Sequence, residues 1–175
     1  MAELDIHAAH DHSGDRFAQR VGVAVGVIGI ILAIVTIGSH RAHTQAVIYR
    51  TEENDLWSFY QARKVRQRVF EVGAGLAAAL STDEKKTAEL IDRFTQQGAH
   101  EAQETPELEK QAKQKAAATA REEGRAVRLD LGEGFLELGL VLASLYFLSK
   151  RRFFPAIGLT AAVIGSALGI AGFIF

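Results

Sequence analysis

Cysteine is absent from the 175-residue chain, which excludes disulfide staples, zinc–thiolate centres and a cysteine nucleophile. Proline is nearly absent: Pro106 and Pro155 are the only two. With so few prolines beside many Ala, Glu, Lys and Arg residues, long helices are the expected structure. An excess of either charge is missing too. The chain carries 20 Lys/Arg against 21 Asp/Glu, and Ser39–Arg128 alone holds 15 basic and 14 acidic side chains. A nucleic-acid-binding surface wants a basic excess, so no such partner is expected. Also missing are a P-loop, a GxGxxG after a strand, an HExxH pair and a GxSxG elbow. No catalytic, cofactor-binding or metal residue can be named from these patterns, and a non-enzyme without a cofactor is the expectation.

What the chain does have is apolarity gathered into blocks. Val21–Gly38 contains no charged side chain, no Asn or Gln, and one hydroxyl, Thr36. As a helix it would be about 27 Å long, close to the hydrocarbon thickness of a bilayer. A helix apolar on every face is rarely needed in a water-soluble fold, so this block reads as transmembrane helix 1. A second block, 129–149, is apolar from Phe135 to Ser149 except for Glu137, and needs residues from about Leu129 to reach across a bilayer. Phe153–Phe175 carries no ionisable side chain and reads as the third span. Between these last two lies the basic turn Lys150–Arg152. Short basic loops stay cytoplasmic, and Arg16 and Arg20 before the first span agree. That places the N-terminus inside and Ser39–Arg128 outside, which is periplasmic for a bacterial inner membrane protein. His40, Arg41 and Arg128 pull the other way.

Residues 1–20 form a polar arm in which His7, His10 and His12 alternate with Asp5 and Asp11. Without hydrophobic periodicity to converge the imidazoles, a solvated arm is expected rather than a metal site.

Glycines mark the packing faces of the spans. Gly22 and Gly26 make a small-xxx-small pair in the first. In the third, Gly158, Gly165 and Gly172 recur every seven residues, and Gly165 pairs with Gly169. Such stripes let backbones approach closely in lipid. Glu137 is the exception to apolarity. A carboxylate in hydrocarbon is costly and is read as functional or paired. It either snorkels or bonds within the fold, or it handles an ion or proton.

The polar middle divides by its own signals. After Gly38 no strong breaker occurs before Gly73 and Gly75, so the first helix is expected to leave the membrane and continue. Ala62, Val65, Val69, Val72, Leu76 and Ala79 follow a 3-4-3-4-3 spacing, a coiled-coil seam of under three heptads. Trp57, Phe59 and Tyr60 precede it and read as filling between helices or protomers, or as an exposed patch for a protein partner. Ser81 and Glu84 make a capping box that predicts a second helix to about Gln97. Gly98 predicts its stop, and Thr105-Pro106 the start of a third polar helix running back antiparallel to the first.

Asn54-Asp55-Leu56-Trp57-Ser58-Phe59-Tyr60-Gln61-Ala62-Arg63-Lys64-Val65-Arg66-Gln67, behind a His-rich leader and one span, resembles a bacterial three-span membrane family. That family is domain of unknown function four-three-three-seven. Gly134–Arg152, GFLELGLVLASLYFLSKRR, and the glycine-rich last span extend the likeness to nearly the whole chain. The resemblance implies three spans and a helical middle. It carries no catalytic residue over.

The expected fold is therefore all-α: three transmembrane helices with an extramembrane helical hairpin or coiled-coil domain, 39–128, between spans one and two. The expected role is a homo-oligomeric scaffold or interaction module in the lipid bilayer, with Trp57, Phe59, Tyr60 and the Val65–Leu76 stripe as contact surface. The alternative is a small oligomeric channel or ion-coupled conduit using Glu137.

Overall fold

The computed structural model describes residues 16–80 and 83–174, and these are helical almost throughout. The described residues form three helices: α1 (Arg16–Leu80), α2 (Glu84–Ser149) and α3 (Phe153–Ile174). Among the described residues there is no strand. The histidine-rich part of the arm and Ser81, the expected cap, lie outside the described residues. Each of the three helices is long and apolar enough to cross a membrane. Two compact units are formed. One comprises the described residues up to Arg41 and those from Arg125 on; the other is Ala42–Gly124.

In the first unit, burial recurs with a period of seven. Val21, Ile28 and Val35 are buried on α1, Leu129, Leu136 and Ala143 on α2, and Pro155, Ala162 and Gly169 on α3. Gly158, Gly165 and Gly172 give α3 a second such row. A sustained seven-residue repeat is the pattern of left-handed supercoiled helices. Helices α2 and α3 approach so closely that side chains are excluded at two levels. A Cβ on Gly158 would fall 2.6 Å from the Ala143 nitrogen and 2.7 Å from the Gly139 carbonyl oxygen. One on Gly165 would fall 2.7 Å from the Gly132 carbonyl oxygen. Larger neighbours fill the spaces that the glycines leave: Leu136 lies over Gly165, Leu129 over Gly172 and Val35 over Gly169. Dispersion between closely fitted surfaces is what holds apolar helices together when water supplies no drive.

The ends of the helices are tied off locally. After Ser149 the chain turns through Lys150, which has a left-handed φ of 55°. Its N–H donates to the Tyr146 carbonyl at 2.8 Å, the arrangement that closes many helix C-termini. Pro155 falls in the first turn of α3, where its missing N–H would have had no partner in any case. At the other end of α3, Arg125 Nε donates to the Gly172 carbonyl at 3.0 Å, satisfying an acceptor that the helix terminus leaves open.

The second unit is an antiparallel pair of long helical segments, one from α1 and one from α2. Phe70 and Phe94 stack near its closed end with ring centroids 6.3 Å apart. Gly73 faces Phe94, and Gly98 faces Phe70. Further along, Arg63 and Arg66 both reach Glu101, at 3.1 Å. Beyond them Lys115 Nζ meets Glu52 at 2.6 Å, and Arg50 pairs with Glu123.

One local expectation is corrected, and one cap is defined. First, Gly98 and Thr105-Pro106 neither stop nor restart a helix, because α2 runs unbroken through both. Proline inside a helix removes one hydrogen bond and costs about 3 kcal/mol. Here Thr105 donates its hydroxyl to the Glu101 carbonyl at 2.8 Å, one turn back, instead of capping. Arg63 holds Glu101 and Glu104 just before the proline, and Glu52 holds Lys115 further along α2 beyond it. Pairing with the partner helix on both sides of Pro106 keeps the helix in line. Second, the residue that caps α2 is Asp83. Its carboxylate accepts the Lys86 N–H at 3.3 Å, and its carbonyl accepts the Thr87 N–H at 3.0 Å.

Candidate functional site

Two regions bear on function, one in each unit. In the apolar unit, polar side chains meet along one line between α1 and α2. Thr36 Oγ1 donates to Glu133 Oε1 at 2.8 Å. One turn along, the buried Ser39 hydroxyl donates to Asp130. The spacing of three in Thr36/Ser39 matches the spacing of three in Asp130/Glu133, so an antiparallel pair brings both couples into register. Glu137 stands four residues past Glu133 and is exposed on the chain's own surface. The acidic residues tied into the fold are thus Asp130 and Glu133, rather than Glu137. The signal was available as the i, i+3, i+7 spacing of Asp130, Glu133 and Glu137, which sets all three on one side of α2.

Of the glycines expected to pack, Gly158, Gly165, Gly169 and Gly172 are buried. Gly22 and Gly26 are exposed; a Cβ at Gly26 would meet nothing within 4 Å.

In the hairpin, the face turned to the partner helix includes Leu56, Tyr60, Arg63, Gln67, Phe70 and Ala74, all partly covered. The Val65–Leu76 stripe lies on the neighbouring face. Val65, Val69, Val72 and Leu76 are 62%, 61%, 60% and 51% exposed. They line a shallow groove with Lys64 and Arg68 on its rim. Trp57 and Tyr60 meet edge to face at 5.4 Å and are partly covered, whereas Phe59 is 62% exposed. Lys64 Nζ sits 5.9 Å from the Tyr60 ring.

Two arginines converge on one carboxylate in the hairpin, at Glu101. The hydrogen bond from Arg66 holds its carboxyl below the ordinary carboxylate range, and the charges of Arg66 and Arg63 add to this against partial desolvation. Lys113 is shifted up by its hydrogen bond to Glu109. These are structural pairs: Glu101 ties the two segments of the hairpin together, whereas Lys113 and Glu109 lie one turn apart on α2. Among the described residues no cluster of three or more His, Asp or Glu side chains is placed to hold a metal.

A family model described as Domain of unknown function (DUF4337) matches residues 17–175. No curated protein and no solved structure matches the chain.

Proposed function

Because the chain belongs to the DUF4337 family, which carries no assigned activity, we propose a role from its surfaces: an integral membrane protein acting as an oligomeric scaffold. In this reading the three apolar segments lie in a bilayer and the charged hairpin lies outside it. The short basic turn Lys150–Arg152 stays on the cytoplasmic side, and the hairpin faces the opposite compartment. The observation that carries the reading is the stripe Val65, Val69, Val72 and Leu76. It is spaced as a coiled-coil seam, yet it is left uncovered while the hairpin packs on its other face. A 3-4 spaced stripe is complementary to itself, so a second copy is its proposed occupant. The test is mass determination by light scattering in mild detergent. Parent protein is expected to be oligomeric and Val69→Glu/Val72→Glu to shift to monomer. A monomeric parent overturns the reading.

A second reading rests on Glu137, an acid exposed on an otherwise apolar segment. Such a residue in hydrocarbon lines an ion path or pairs with another subunit. Flux through reconstituted vesicles, compared between parent and Glu137→Gln, decides it. Absence of flux from both removes the conduit.

A further inference from the structure

The apolar unit contains a cleft of about 400 Å³ between the start of α1, the end of α2 and the start of α3. Its floor is apolar: Val21 and Ala143 are buried at 4% and 1% exposure, and Pro155 is fully buried. Ala24 and Leu159 continue the wall. The polar groups at this cleft are cationic, Arg20 from α1 and Arg152 from the turn before α3. The Arg152 guanidinium lies 5.1 Å from the Phe17 ring, and Phe17 packs edge-on against Tyr146 at 5.0 Å. The aromatic pair thus props one of the two cations beside the opening. Among the described residues no carboxylate pairs with Arg20 or Arg152. The described carboxylates of this unit are Asp130, Glu133 and Glu137, and two of these are engaged by Thr36 and Ser39 near the opposite end of the first span. Arg16, Lys150 and Arg151 add further positive charge at the cleft's end of the unit.

We propose that this cleft binds an anionic phospholipid, its phosphate held by Arg20 and Arg152 and an acyl chain laid on the floor of Val21, Ala143 and Pro155. An apolar channel topped by two guanidiniums that meet no carboxylate among the described residues is complementary to that one chemistry: a negative head joined to a hydrocarbon tail. Zwitterionic lipid would offer the tail without the net charge. Free phosphate would offer the charge without the tail. The inference rests on the reading that this unit lies in a bilayer.

The experiment uses the full-length chain in a neutral detergent and counts bound lipid by native mass spectrometry. Phosphatidylglycerol and phosphatidylcholine of the same acyl composition are the probes, with inorganic phosphate as a third. Phosphatidylglycerol should be retained about 30-fold more tightly than phosphatidylcholine, the factor expected from two basic side chains at a headgroup. Inorganic phosphate should not compete at equal concentration. Arg20→Gln/Arg152→Gln should abolish the preference, and Ala24→Phe, which fills the cleft without touching charge, should lower retention of both lipids. Arg151→Gln, off the cleft lining, should keep most of the preference.

Equal retention of the two lipids by the parent, or an equal loss in Arg151→Gln and Arg152→Gln, overturns the cleft as the site. So does full competition by inorganic phosphate. Carbonate-resistant co-flotation with pure phosphatidylcholine vesicles reads the membrane assignment separately. Failure there removes the bilayer, whereas flotation without lipid preference removes only the cleft.

Discussion

The two units of this chain solve helix packing in opposite ways. The apolar unit brings backbones together: glycines at 132, 139, 158 and 165 leave no room for a Cβ, and leucine or valine from the neighbouring helix fills what remains. The hairpin holds its helices with long side chains, two phenylalanine rings and a series of arginine or lysine bridges to carboxylates. The difference follows from the surroundings proposed for each. In hydrocarbon an extra methylene gains nothing by leaving the solvent, so fit and proximity decide. In water a ring or an aliphatic stem gains by being covered, and the charge at its tip stays solvated.

The sharpest way to break this contrast is to give a glycine of the apolar unit a side chain. Gly158→Leu should lower stability by about 3 kcal/mol or more, since backbone on α2 has to retreat. Gly26→Leu, on an open face, should leave the thermal transition in detergent nearly unmoved. Equal effects would mean that close approach is not what holds the unit. Next in size is removal of a hairpin ring. Phe70→Ala or Phe94→Ala should cost about 1–2 kcal/mol, as expected for half-buried aromatics. Hydrogen exchange should rise in Ala42–Gly124 and stay unchanged in α3.

A smaller effect is expected from Thr36→Val, which keeps shape and deletes the donor to Glu133. Interhelical hydrogen bonds in membranes contribute about 0.6–1.7 kcal/mol, so protection should fall modestly around Gly132–Leu136. The smallest is the pH response of the Glu101 knot. Its folded-state pKa is depressed, so its contribution is present above the ordinary carboxylate range and is lost as pH falls through the lowered value. Acidification below about pH 4.5 should loosen the hairpin, and Glu101→Gln should flatten that dependence in hydrogen-exchange profiles. A parent hairpin indifferent to acid would dismiss the knot.

Much of the helical content was legible because propensity and composition agree along the chain. The glycine rows of α3 stood out because an apolar helix rarely repeats glycine every seven residues without a neighbour to receive it. The packed face of the hairpin was not legible. Its covered positions include Arg63 and Gln67, while the more apolar stripe through Val65 and Leu76 lies exposed, so apolarity alone points away from the partner helix. Pro106 misled for a related reason. Its local signal for a helix start is real, but bridges on either side keep α2 continuous. Asp130 and Glu133 were hidden because their meaning depends on Thr36 and Ser39, roughly 90 residues away. Only the pairing of α1 with α2 reveals them.

The seven-residue rhythm of α3 also limits how the segment can change in length. Deleting one residue between Gly158 and Gly165 turns everything downstream by about 100° and would present Ser166 or Ile170 where glycine has to sit. Removal of a whole heptad keeps the angular phase and shortens the rod by about 10 Å. Insertions and deletions in this part of the chain are therefore expected to be tolerated in units of seven, with thickness rather than shape as the quantity that varies.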